Sequence, residues 1–321
     1  MDMYILSTFF HLVGSGALGG IYSWRLSKTC HITTVCRSNY DIVKNEGFDI
    51  DCRKFGKEKF RPNNVVRTVT ECANESFDYV MVTLKALPEV YNVADIIQPA
   101  ISPHTTIVLI QNGLGVEESI VERFPDNPLV SFVAYIGASQ FAPGKIKTIG
   151  GEHLVTGQYK GSKVDSRMQT AALVDLLRTA DVSVDIVEDV EYVRWKKIFW
   201  NLPFNCLCSI TGMGVQDLLN TENGIPTIRL LLGDVLKTAI SCGYDFDAEG
   251  EINHTINRTL GHINYKPSML LDMERGNPME ISHILGVPLK RAKAMGLDVP
   301  HLESVFNIAN MINARLINSK A

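Results

Sequence analysis

The amino-acid sequence predicts an α/β protein in two parts: a doubly wound domain over residues 1–188, then an all-helical domain over 189–321. Three observations lead there. Short apolar runs alternate with amphipathic ones through the first half, and parallel strands need such crossovers. A glycine turn, Gly14-Ser15-Gly16-Ala17-Leu18-Gly19, separates the first apolar run from the first amphipathic one. After about Glu188 the strand-like runs stop, and apolar residues recur at helical spacing.

The elements follow in order. Phe9 to Val13 is a short apolar strand ending at the glycine turn, and Ala17 to Ser27 reads as the helix that leaves it. Ile32 to Cys36 is rich in β-branched residues and predicts the second strand. Phe77 to Leu84 is a buried strand, with a helix over Leu87 to Ile97 stopped by Pro99. Thr105 to Ile110 is another apolar strand, and Val116 to Phe124 another helix. Runs with so little polar alternation suit a parallel sheet covered on both faces. Leu129 to Tyr159 mixes β-formers with glycines and predicts a meander that finishes the sheet. A helix over Asp165 to Ala180 and a strand over Val182 to Val187 close the first domain. Helices are then expected over Val190 to Phe199, Thr227 to Cys242, Ala248 to Leu260, Val287 to Met295 and Leu302 to Leu316.

Composition narrows the function. At 321 residues, 45% hydrophobic and 21% charged, the chain has the balance of a globular protein of two domains. A net charge of −4 gives no general attraction to nucleic acid or acidic membrane, though a local phosphate site needs only one or two placed cations. Seven cysteines without any C-x-x-C pair argue against a disulfide framework and a zinc site, so no metal is expected. The apolar stretch Tyr4 to Phe10 lacks the positive flank of a signal peptide and is read as retained. No run reaches the roughly 20 apolar residues of a membrane span, and a cytoplasmic location is expected.

The glycine turn has the context that a bare G-x-G-x-x-G lacks: a strand before it, a helix after it and a second strand beyond. The first glycine permits the turn, the second lets backbone approach a pyrophosphate, and the third allows close helix–strand packing. Free N–H groups at the helix start favour the anion. This makes the first domain Rossmann-type and the bound group a dinucleotide. An NAD site would place an acidic residue at the end of the second strand, whereas this chain has Cys36-Arg37-Ser38. Arg37 suits a 2′-phosphate through its charge and planar donor fork, so NADP(H) is expected. Lys85, in Thr83-Leu84-Lys85-Ala86, and Asn112, in Gln111-Asn112-Gly113-Leu114-Gly115, stand at further strand ends, where open α/β sheets bind ligands.

In the helical domain, Lys197, Asn201 and Asn205 recur every four residues and share one face of an otherwise apolar helix. Buried polar groups need partners, and a substrate carboxylate or carbonyl would satisfy them; a snorkelling lysine with two exposed asparagines is the bland alternative. Ser268, with Asp272 after it and Glu280 eight residues further on, forms a second cluster.

Taken together, these motifs resemble the ketopantoate reductase family. The likeness runs through nearly the whole chain: the glycine turn, the strand-end arginine, T-L-K-A, N-G-x-G, W-x-K-x-x-x-N-x-x-x-N, and S-M-x-x-D with its later glutamate. The resemblance implies NADPH-dependent reduction of a 2-oxo acid, 2-dehydropantoate, by hydride transfer to C2, with Lys197 as general acid and Glu280 in the active site. It implies Asn201, Asn205 and Ser268 as substrate-binding residues. Arg37, Lys85 and Asn112 become cofactor contacts beside the turn Gly14, Ser15, Gly16, Ala17, Leu18 and Gly19. Lys197 at an ordinary pKa of about 10.4 would be charged at neutral pH. Pro203 between the two asparagines is expected to kink the helix. Val215, Leu271 and the segment Ile281 to Leu285 stand where the family commonly has amides or an acid, so the substrate shell is altered. A reductase of another 2-oxo acid and a non-catalytic NADP-binding regulator remain the alternatives. The apolar helical domain could supply a homodimer surface.

Overall fold

The computed structural model describes residues 8–261 and 265–319. The apolar stretch that begins at Tyr4 lies, up to Ser7, outside the described residues. The chain divides into two compact units. The first comprises residues up to Lys85 together with Tyr91–Gln111 and Val116–Val190; the second comprises Ala86–Val90, Asn112–Gly115 and Glu191–Ala321.

The first unit is built on one mixed sheet of ten strands among the described residues. In chain order they are β1 (Phe9–Val13), β2 (His31–Val35), β3 (Phe48–Cys52), β4 (Gly56–Phe60), β5 (Asn64–Val66), β6 (Tyr79–Val82), β7 (Thr106–Leu109), β8 (Leu129–Ala142), β9 (Lys145–Gln158) and β10 (Val184–Asp189). The sheet order is β4-β3-β9-β8-β7-β6-β1-β2-β5, with β10 pairing β9. Pairing from β8 through β7, β6, β1 and β2 to β5 is parallel. Every residue of β6 and β7 is buried, as both-faced coverage requires.

Period-two alternation sorts the side chains of β1. Phe10 and Leu12 cluster with Tyr22 and Leu26 of α1 (Ala17–Leu26), while His11 lies against the Phe77 ring at 4.6 Å. Gly20 lets α1 sit close to the sheet, because a Cβ there would meet Ile146 Cδ1 at 2.2 Å. Arg25 of α1 is buried, donating to the Ala180 carbonyl at 2.7 Å and stacking over Phe55.

Several elements differ from the expectation. The helix expected over Leu87 to Ile97 shrinks, after α2 (Tyr40–Glu46), to α3 (Val93–Ile97). Pro88 disfavours helical backbone at Leu87, and the Asn92 side chain starts the helix by accepting from Ala94 N–H. The next helix, α4, covers Glu118–Arg123, and α5 covers Arg167–Thr179. The expected meander is one long antiparallel hairpin of β8 and β9, broken by register shifts at Ile136/Gly137 and Gln140/Ala142.

The second unit is helical: α6 (Val190–Thr211), α7 (Val215–Leu219), α8 (Gly224–Ser241), α9 (Ala248–Asn257), α10 (Ser268–Glu274), α11 (Val287–Ala294) and α12 (Pro300–Asn318). A π-helical turn, Ser282–Gly286, precedes α11. Trp195, Phe199, Leu202 and Phe204 of α6 pack with Leu231 and Val235 of α8 and with Leu302. That apolar stripe explains why α6 runs on through Pro203, although the proline leaves the Phe199 carbonyl without its usual donor. Among the described residues, no helix is long and apolar enough to cross a membrane.

Candidate active site

The glycine turn follows directly from β1. Gly14 has φ +115°, and a Cβ there would meet Leu84 N at 2.6 Å. A Cβ on Gly19 would stand 2.0 Å from the Gly14 carbonyl oxygen. At Gly16 the same addition meets nothing within 4 Å. The turn is therefore packed tight at its first and third glycines and open at its second, the arrangement that lets a pyrophosphate reach the backbone. The start of α1 carries no side-chain cap and no acidic residue, which suits the first-turn N–H groups of a helix to an anion. Leu18 packs toward the sheet core.

Asn39, which the sequence did not single out, braces this turn. Its Nδ2 donates to the Ser15 carbonyl at 2.9 Å, and its Oδ1 accepts from the Ser15 hydroxyl at 3.0 Å. Arg37, just past β2, is exposed and has no polar side-chain partner among the described residues. Nearby Arg67 is already committed, stacked on Tyr40 and paired with Asp41. Lys85 is partly buried, and its carbonyl accepts from the Tyr91 hydroxyl. These residues fit a phosphorylated dinucleotide: an open backbone cradle and an uncommitted guanidinium.

The second unit gathers the other candidates. Nζ of Lys197 donates to Oδ1 of Asn112 at 2.6 Å. Asn112, read from the sequence as a cofactor contact, thus touches the lysine itself. Burial pulls the Lys197 pKa down to about 7, the Arg194 guanidinium adds to the fall, and the charge of Glu280 opposes it. The expectation of a lysine fully charged at neutral pH is corrected by that environment. Glu280 is 5% exposed. Its Oε1 accepts from Ala86 N–H at 3.0 Å, so it holds the segment after Lys85 and influences Lys197 through space instead of pairing with it.

Asn201 is buried one turn beyond Lys197, and its side chain has no hydrogen-bond partner among the described residues. That leaves its amide donors and acceptor for a ligand or water. Asn205 is differently placed: its Oδ1 accepts from Met269 N–H at 3.1 Å and lies 3.4 Å from the hydroxyl of exposed Ser268. It thereby ties α6 to the start of α10, satisfying an otherwise free helix N–H. Trp200 and Phe204 stack at 5.1 Å on the same side of α6. Among the described residues, no group of three His, Cys, Asp or Glu side chains could hold a metal ion.

A lysine held by an amide oxygen, with a pKa near neutrality, can both hold and release a proton at pH 7. Comparisons with known proteins give the family. Residues 10–161 match the profile described as ketopantoate reductase PanE/ApbA, and residues 189–313 match its C-terminal counterpart. The meiotically up-regulated gene 72 protein of Schizosaccharomyces pombe is 30% identical, the match covering 96% of this chain and 57% of that protein. The crystal structure of 2-dehydropantoate 2-reductase from Methylococcus capsulatus superimposes with a TM-score of 0.84 at 31% identity, covering 96% of this chain and 97% of that one. A ternary structure of D-mandelate dehydrogenase with NADH and anilino(oxo)acetate has the same fold, with a TM-score of 0.86 at 18% identity over 96% of this chain and 99% of that one.

Proposed function

The chain belongs to the ketopantoate reductase family of oxidoreductases acting on a CH–OH group, and on that premise we propose that it reduces a 2-oxo acid, 2-dehydropantoate foremost, with NADPH. The observation that carries this reading is Lys197, fixed by Asn112 and brought to a pKa of about 7. We assign the cofactor to residues 1–188 and the substrate chemistry to 189–321, with Asn112 serving the latter.

The chain's residues divide the work. The turn from Gly14 to Gly19 binds the pyrophosphate through backbone N–H groups, and Arg37 takes the 2′-phosphate. NADPH, when bound, supplies a hydride to C2 of the substrate. Lys197 hydrogen-bonds the C2 oxygen, stabilises the charge that develops there and transfers its proton to it. Hydride and proton together convert C=O to CH–OH, and Lys197 regains its proton from solvent. The Asn201 amide, without a partner among the described residues, orients the substrate carboxylate. Glu280 keeps the Ala86 segment in place and offsets part of the positive field around Lys197.

A second reading keeps the chemistry and changes the acid. Asn205 spends its amide oxygen on Met269. That leaves fewer amide groups for a hydroxylated substrate and favours one that is less hydroxylated than 2-dehydropantoate. Steady-state NADPH oxidation over a panel of 2-oxo acids separates the readings: a preference below about tenfold for 2-dehydropantoate contradicts the narrower one. Tight NADPH binding with no turnover on any oxo acid would make the protein a non-catalytic binder.

A further inference from the structure

The turn that carries Asn112 is itself held by two residues, His283 and Arg194. Gly113 has φ +100°, and a Cβ there would meet the His283 Cβ at 2.5 Å and its carbonyl oxygen at 2.7 Å. Only glycine permits that approach. Leu114 N–H donates to the His283 carbonyl at 2.8 Å, and His283 Nδ1 lies 2.8 Å from the Leu114 carbonyl. A carbonyl only accepts, so Nδ1 carries the proton in this contact. The second anchor is Arg194, whose Nη1 donates to the Gly113 carbonyl at 2.9 Å. Arg194 is 2% exposed and stands three residues before Lys197 on α6.

His283 occupies the π-helical turn Ser282–Gly286. Such a turn inserts one residue into the helical repeat and re-aims the side chains around it. The same segment makes two further contacts: Glu280 accepts from Ala86 N–H, and the Ser282 hydroxyl donates to Glu89. One stretch of chain therefore secures both short segments that join the helical unit, 86–90 and 112–115.

We propose that His283, with Arg194 as the second anchor, is a positioning residue: it locks the Gly113–Leu114 backbone so that the Asn112 amide oxygen holds Lys197 Nζ in its proton-donating place. The relay runs from the His283 ring to Leu114, along the turn to Asn112, and on to Lys197. Arg194 completes it by joining the turn to the helix that carries the lysine, and its charge favours the less protonated lysine. His283 touches neither reacting atom.

This rests on the reading of Lys197 as the general acid, and the test keeps the two separable. His283→Asn retains an N–H donor where Nδ1 stands, whereas His283→Gln moves the donor to the place of Nε2. The expected result is that His283→Asn keeps kcat within about threefold of the unaltered protein. His283→Gln should lose at least about tenfold in kcat with KM for NADPH held within about threefold, because misplacing a catalytic group costs rate more than binding. Thermal midpoints of both variants are compared, since a merely structural role would lower kcat only in step with stability. Equal kcat values for the Asn and Gln variants overturn the proposal. Lys197→Ala is assayed alongside: if it retains turnover, the general-acid reading fails first; if it is inactive while the two His283 variants match, only the positioning role fails.

Discussion

Nζ of Lys197 donates to Oδ1 of Asn112 across 2.6 Å, joining a helix to a turn 85 residues earlier in the chain. The bond constrains the lysine's position, and the surroundings set its charge. Burial and Arg194 lower its affinity for a proton, while Glu280 raises it. Each of these influences has a measurable consequence.

The first is a pH profile. With Lys197 titrating near 7 in the free protein, kcat/KM for reduction should fall on the alkaline side with an apparent pKa of about 7. Arg194→Met removes a neighbouring positive charge and should move that limb to higher pH. Glu280→Gln removes a negative one and should move it lower. Shifts in the opposite directions would show that another group controls the limb.

The assignment of Arg37 to the 2′-phosphate predicts a difference between the two dinucleotides. Arg37→Ala should weaken NADPH by at least about tenfold, the worth of a charge-assisted pair, and leave NADH within about threefold. Titration calorimetry with both cofactors is the check, and equal losses would remove the 2′-phosphate from its account.

The three glycines of the turn should separate by phenotype. Gly16→Ala places its methyl in open space, so the thermal midpoint should stay within a few degrees while NADPH affinity falls. Gly19→Ala drives a methyl into the Gly14 carbonyl and should destabilise the protein by several kcal/mol, at or beyond the upper end for overpacking. If Gly16→Ala binds NADPH normally, the pyrophosphate does not lie over this turn.

His11 gives the first unit an acid sensitivity. Its ring is 0% exposed, both ring nitrogens lack hydrogen-bond partners among the described residues, and burial lowers its pKa to about 4. Above pH 6.5 the ring is neutral in folded and unfolded chains alike, so it adds no pH dependence. Between pH 6.5 and 4 the unfolded chain binds a proton that the folded one refuses, and stability falls by about 3 kcal/mol across that window. Below pH 4 the folded ring also protonates and the loss levels off. His11→Leu should remove this part of the acid slope in urea melts at pH 7 and pH 4.5. An unchanged difference between the two pH values would show that His11 is not its source.

Local pattern made much of the fold readable. β1 was expected at Phe9–Val13 and is found there, because an apolar run bounded by a glycine turn is a strong signal. The hairpin of β3 and β4 carries no such signal: Gly56–Phe60 is charged and mostly exposed at the sheet edge, as edge strands often are. Pro203 looked like the point where a helix should bend, and the core packing of α6 carried the helix past it. At the site, Lys197 and Asn112 were both visible as motif residues, but their contact was not, since it depends on how a distant turn folds back. Arg194 stands at helical spacing from Lys197 and could have been noticed. His283 could not, because only the packing of Gly113 against it shows what the residue does.

The most direct test is single-turnover reduction by Lys197→Ala with saturating NADPH and the best 2-oxo acid from the panel. A loss of at least about a hundredfold in rate, with NADPH affinity unchanged within about twofold, is expected for a removed general acid. A loss below about tenfold would contradict the role assigned to Lys197.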